Sequence, residues 1–384
     1  MVYIYLVTLR APPAILTGSE RFLYYISRHL MIDYGYKSLL ITSNVMNLES
    51  LNNMSIHRYD KERLCSYLNK VNGVNVIRLP LDIGKQKIWR TFSKLVSRMP
   101  KNFISEPLID YIEASGIGPL FYGLDRILKH FPCNLIHVTP LPYSFVIQCI
   151  KMALNLRIPI VVTPFYHYKL ERMFKNIHFK LLAKADAITA CTRYEKEKLI
   201  ERGIEPEKIH IIPMGIEPSE YKVNEQYAEI LKHKLGVNGK FVIITTARNK
   251  YKGTYDLVKA LTILNRRDVV LIAFGPKDPS WNAFINKIKG KVDIIDLGWI
   301  DEKTKNTLFY ICDLLALPSI ADAFGIAYLE AWYFEKPVIA AKTEAMQEVV
   351  KDYEDGLLVE YGNPRDLAEK ILILLLWLKL ILLI

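Results

Sequence analysis

Cysteine is scarce in this chain: Cys65, Cys133, Cys149, Cys191 and Cys312 are the five in 384 residues, an odd and scattered set without a C-x-x-C pair. This excludes a disulfide framework and a thiolate zinc knuckle and points to a reducing cytoplasm. Two phosphate-binding signatures are missing as well. Neither G-x-G-x-x-G nor G-x-x-x-x-G-K-S/T occurs, which sets NAD-dependent and P-loop ATPase chemistry aside. No apolar run reaches the ~18–20 residues that a membrane-spanning helix requires. The opening MVYIYLVTLR has neither a basic stretch ahead of it nor a small-residue cleavage site behind it, so Val2 to Val7 is expected to be a buried strand.

What is present is the balance of a soluble globular protein, 51% apolar and 24% charged, at a length that predicts two domains. The formal net charge of +11 is one-sided. Residues 1–217 hold 29 Lys and Arg against 18 Asp and Glu, whereas residues 218–384 hold 22 of each. An anionic partner is therefore expected on the first half. There, residues 84–101 set Lys87, Lys94 and Arg98 around Trp89, Phe92, Leu95 and Val96 at helical spacing, the composition of a helix lying on an anionic membrane surface. The basic segments contain no recognised nucleic-acid module, so no nucleic-acid partner is expected.

Short Ile- and Val-rich runs alternate with helical patterns, which predicts an α/β fold of two Rossmann-like, doubly wound domains facing an interdomain cleft. Strands are expected at Tyr3–Leu6, Ser38–Ile41, Val74–Leu79, Leu135–Val138, Ile158–Thr163, Ala187–Ala190 and Ile209–Ile212. A second series follows at Phe241–Thr246, Val269–Ala273, Val292–Ile295, Leu314–Leu317 and Pro337–Ala340. The break falls in IIPMGIEPSEY, giving a basic domain at 1–217 and a second domain at 218–384, the latter with an atypical hydrophobic tail at 371–384.

Candidate chemistry gathers where strands give way to helices. Gly18 and Ser19 open a helix whose first amides face an anion. Arg248 and Lys252 follow the strand at Phe241–Thr246, just ahead of a helix starting near Gly253; a guanidinium fork and a point charge there suit a diphosphate. After Leu314–Leu317 come Asp322, then Phe324 and Gly325 at a helix start, then Glu330. Eight residues at ~100° each bring Asp322 and Glu330 to within ~80° if the helix begins early enough. An ionised carboxylate is acceptor-only and matches the paired hydroxyls of a sugar, while Gly325 allows a close backbone approach.

With these residues in view, the chain resembles family 4 of the retaining glycosyltransferases, of GT-B type. The match runs through TGSE (Thr17–Glu20), NLIHVT (Asn134–Thr139), VVTPFYH (Val161–His167), ADAITACT (Ala185–Thr192), IIPMGIE (Ile211–Glu217), ARNKYKG (Ala247–Gly253), AFG (Ala273–Gly275), CDLLALPS (Cys312–Ser319), DAFGIAYLEA (Asp322–Ala331) and EAMQEVVKDYEDGLLV (Glu344–Val359). The resemblance implies transfer of a hexose from a nucleotide-diphosphate sugar to a glycan or lipid-linked acceptor, with retention, 1–217 being the acceptor-binding domain and 218–384 the nucleotide-sugar-binding one. Arg248 and Lys252 would hold the diphosphate, Glu330 the ribose hydroxyls, and the amides of Phe324 and Gly325 sugar or phosphate oxygens. Asp322 stands where the family usually has Glu, keeping the charge on a shorter arm against the transferred sugar. His167 matches the family's histidine near the acceptor and the reacting carbon.

No D-x-D occurs, so neither metal nor other cofactor is expected, the cations and helix N-termini doing that work. The expected place is the cytoplasm, peripheral on the inner membrane face. A sugar-nucleotide epimerase or hydrolase of the same fold, and a non-catalytic nucleotide-sugar-binding subunit, remain alternatives. The tail ILILLLWLKLILLI departs from the family, whose members continue with a helix that returns to the first domain; it reads either as a truncation or frame change or as a hydrophobic anchor.

Overall fold

The computed structural model describes residues 2–14, 16–45, 68–98 and 105–381. Cys65, the part of the basic segment beyond Arg98, and the last three residues of the tail lie outside them. The chain forms two compact units, Met1–Pro213 and Met214–Ile384, dividing inside the Pro- and Gly-containing stretch after the last strand of the first series.

Among the described residues the first unit carries eight strands: β1 (Tyr3–Val7), β2 (Lys37–Ser43), β3 (Leu68–Val71), β4 (Val74–Leu79), β5 (Leu135–Val138), β6 (Ile160–Val162), β7 (Ala187–Ala190) and β8 (Ile209–Ile211). Their order is β3-β4-β2-β1-β5-β6-β7-β8. All neighbours are parallel except β3, which pairs antiparallel with β4 through Asn72-Gly73, both at positive φ as a two-residue hairpin turn requires. The polar LNKV of β3 has no strand pattern, and no strand was expected there. The helix Gly18–Ile32 follows β1 and lays Leu23 and Tyr24 on Ile4, Leu6, Leu40, Val74 and Val76.

The second unit holds β9 (Phe241–Thr245), β10 (Val269–Phe274), β11 (Asp293–Gly298), β12 (Leu314–Leu317), β13 (Val338–Ala341) and β14 (Leu357–Val359), in the order β11-β10-β9-β12-β13-β14 and parallel throughout. β9, β10, β12 and β13 are buried along their whole length, which is why they read as unbroken apolar runs. The winding reverses between β9 and β12, where the crevice beyond the carboxyl ends of the strands takes a ligand in such sheets.

The tail is not an appendage. Its residues to Ile381 complete one helix, Pro364–Ile381, that buries Leu367, Ala368, Ile371, Leu374 and Leu375 in the core with Leu257 and Leu261 of the helix Thr254–Leu264. On its outer side the apolar residues Ile373, Leu376, Trp377 and Leu380 are exposed. No helix among the described residues is long and apolar enough to cross a membrane.

Candidate active site

Three loops of the second unit, after β9, β10 and β12, are laced together at this switch point, and glycines make the lacing possible. Gly253 has φ of 73°, and a Cβ there would lie 2.2 Å from the Pro318 carbonyl oxygen; the turn after β9 rests directly on the turn after β12. The Ile320 N–H donates to the Tyr251 carbonyl at 2.9 Å across the same seam. Gly275, at φ of 87°, packs against the Thr246 carbonyl, which a Cβ would meet at 2.3 Å. The Arg248 N–H then donates to the Pro276 carbonyl (2.7 Å) and the Asp278 N–H to the Arg248 carbonyl (3.0 Å).

This framework decides what the charged side chains do. Arg248 is 3% exposed; its Nε donates to the Gly275 carbonyl at 3.0 Å, one Nη to the same oxygen, and the other to Asp296. Three of its five N–H groups are engaged in these bonds. Lys252 is paired with Asp322, their side chains 28% and 10% exposed, so the loops after β9 and β12 meet through an opposite-charge pair at the switch point. Asp322 also faces Tyr328, whose hydroxyl is held well above its usual range, first by burial and then by that carboxylate.

The helix beyond is Ile326–Tyr333, with Gly325 at its N-cap. It begins four residues after Asp322, so the helical azimuth relating Asp322 to Glu330 does not apply: Asp322 sits on the loop and Glu330 in the second turn. Gly325 (φ of 85°) is required because the Tyr328 ring lies 2.4 Å from where a Cβ would stand, the Tyr328 hydroxyl donating to the Leu317 carbonyl at 2.6 Å. The Phe324 side chain is buried beside it. Glu330 is 5% exposed and accepts from the Tyr221 hydroxyl at 3.0 Å and from Lys305. Lys252 and Asp322 are thus brought into contact, while Arg248 and Glu330 have partners of their own.

In the first unit, Gly18 and Ser19 do open the helix after β1, but the charge there is internal. Thr17 caps the helix, and Glu20 accepts from the Thr17 N–H (2.7 Å) and hydroxyl (2.8 Å) and, through both oxygens, from the buried Arg10 (2.7 and 2.8 Å). His167 is half-buried, between Tyr166, whose ring packs edge-on to Phe174 and Phe179, and Tyr168, packed on Tyr194. The buried Glu195 holds this loop, accepting from the Tyr166 N–H at 2.6 Å and the Cys191 N–H at 2.7 Å. Burial pushes its carboxyl up to about 7, against the opposing pull of those two amides.

Two family models cover most of the chain: Glycosyl transferases group 1 matches residues 228–377 and Glycosyltransferase Family 4 matches residues 90–220. A 41.2 kDa protein of the cps region of Klebsiella pneumoniae is 25% identical over 66% of this chain and 73% of its own length. A glycosyltransferase of Methanocaldococcus jannaschii is 25% identical over 78% of this chain and 74% of its own. In fold, the chain is similar to HepE of Anabaena, solved in complex with UDP and glucose, with a TM-score of 0.67 at 18% identity over 97% of this chain and 89% of that one. The chain belongs to the GT-B glycosyltransferases of family 4.

Several residues that shape this glycosyltransferase have no signal in sequence spacing. Lys305 lies three residues beyond Glu302 and reads as half of a solvated helix pair, yet it is 9% exposed and bound to Glu330 as well. Tyr221 reaches the same carboxylate across 109 positions. Asp296 ends in the Arg248 pair and takes the Trp281 indole N–H at 2.7 Å.

Proposed function

We propose that this glycosyltransferase moves a hexose from a nucleotide-diphosphate sugar to a glycan or lipid-linked acceptor with retention of configuration and without a metal. The second unit holds the donor and the first the acceptor, at the inner face of a membrane. The observation that carries this reading is the Lys252–Asp322 pair at the β9/β12 switch point. A nucleotide sugar presents anionic phosphate and neutral hydroxyls side by side, and a cation beside an acceptor-only carboxylate matches them in the same order. That HepE was solved with UDP and glucose supports a nucleoside diphosphate sugar as the donor class.

As the bond between anomeric carbon and phosphate oxygen breaks, positive charge grows on the sugar and negative charge on the diphosphate. Lys252 neutralises the departing diphosphate, and the N–H groups of Arg248 not spent on Gly275 and Asp296 add to it from a buried position. Asp322 fixes the sugar through its hydroxyls and steadies the cationic ring. Glu330, held by Lys305 and Tyr221, takes the ribose. The Phe324 and Gly325 amides at the start of Ile326–Tyr333 face sugar or phosphate oxygens. In the first unit, the amides of Gly18 and Ser19 at the start of the helix after β1 serve an anionic group of the substrates, and His167 serves the acceptor. Attack comes on the face from which the diphosphate leaves, so no protein nucleophile is needed.

A thermal-shift screen against UDP, GDP and ADP sugars, followed by NMR of the product formed with a glycan or lipid-linked acceptor, tests the reading. One donor class is expected to raise the midpoint selectively, with product of the donor's anomeric configuration and a rate unchanged by EDTA. Inverted product, or sugar release that needs no acceptor, would overturn it.

A further inference from the structure

We propose that the outward face of the helix Ile83–Val96 docks this enzyme on an anionic lipid bilayer. Among the described residues, the helix is bound to the first unit along one side. Gln86 and Val96 are 2% and 4% exposed, the Gln86 side-chain amide donates to the Gly118 carbonyl at 2.8 Å, and the Trp89 ring meets Tyr111 edge-on with centroids 5.6 Å apart. Trp89 and Val96, expected from sequence to face lipid, therefore face protein, because the stripe they belong to is the one that packs against the helix Glu106–Ser115.

The opposite side shows a different apolar set. Ile88, Phe92 and Leu95 are 55%, 49% and 52% exposed, and at ~100° per residue they fall within an arc of about 60°. Single exposed apolar residues are ordinary, but three aligned over two turns form a stripe that water solvates poorly. Lys87 and Lys94 flank it on one edge and Lys85 on the other, with Arg98 just past the helix end, all exposed. The helix IGKQKIWRTFSKLV contains four cations and no acid; the nearby carboxylate, its N-cap Asp82, lies 3.4 Å from Lys85.

Charge complementarity selects the occupant. The core of a protein–protein interface is depleted of lysine, whereas an apolar stripe one helix wide between rows of lysine is the pattern of a helix lying among anionic headgroups, with Phe at acyl depth and ammonium groups at the phosphates. The excess of 29 cations over 18 acids in residues 1–217 adds a long-range field of the same sign. This inference uses no residue of the donor site, so it stands or falls apart from the proposed reaction.

Flotation of the full chain with phosphatidylcholine vesicles, with and without phosphatidylglycerol, tests it. At low salt the wild type is expected to float with the anionic vesicles only. K87Q/K94Q/R98Q should lower partitioning on the order of 100-fold, about fivefold per cation. I88S/F92S/L95S should abolish flotation with every cation in place, the unfolding midpoint and donor-induced thermal shift of both variants matching wild type. Should the stripe variant fold poorly, the cation variant, which alters exposed side chains alone, still decides. A wild type left at the bottom of the gradient with anionic vesicles overturns the proposal, as does a folded stripe variant that floats undiminished.

Discussion

Each unit sends a buried arginine into the loop after its first strand, and the two loops treat that charge in opposite ways. Arg10, after β1, is 2% exposed and closes on Glu20 only ten residues on, two parallel hydrogen bonds completing a pair that also caps its helix. Arg248, after β9, is as deeply buried but finds its acceptors 27 and 48 residues away, at the ends of β10 and β11. The first arrangement is locally complete. The second ties three strands together and sets Lys252, 28% exposed, beside Asp322. Equivalent positions in two doubly wound units thus fasten one loop to its own helix and the other to the neighbouring strands, beneath the candidate site.

The comparison can be broken most severely at Arg10. Arg10→Met leaves Glu20 buried without its cation and should cost about 3–5 kcal/mol of stability in denaturant unfolding, whereas R10M/E20L, which removes both charges, should recover more than half of it. At the second loop the order reverses. Lys252→Ala should leave the unfolding midpoint within a degree or two, roughly the effect of a surface pair, while kcat with the true donor falls about 10²- to 10³-fold. Near-wild-type turnover would remove Lys252 from the reaction. The smallest effect tests the lacing itself: Gly253→Ala must push a Cβ into the Pro318 carbonyl at positive φ and should cost about 2–3 kcal/mol, against ~1 for Gly203→Ala, where φ is 85° but nothing lies within 4 Å. Equal losses, measured by thermal unfolding, would show that the seam between the loops is loose.

The strands of both units were legible because buried parallel strands are continuous apolar runs, as Phe241–Thr245 and Leu314–Leu317 are. β3 and β14 were missed for opposite reasons: LNKV is half polar and owes its place to the Asn72-Gly73 turn, and LLV is too short to stand out. Residue types on loops single out Lys252 and Asp322 as candidates. Their pairing across 70 positions follows from β9 and β12 being spatial neighbours, which sequence order hides. Glu330 reads in sequence as an acceptor for sugar hydroxyls, yet Lys305 and Tyr221 come to it from a helix and a turn whose spacing says nothing of the meeting.

The greasy end of the chain invites trimming by anyone preparing this enzyme, and the helix Pro364–Ile381 says where the scissors must stop. A cut at Lys370 would strip Ile371, Leu374 and Leu375 from beneath Leu257 and Leu261 and open the sheet's flank to solvent. Polar replacements at Ile373, Leu376, Trp377 and Leu380 would relieve stickiness while leaving that keystone in place.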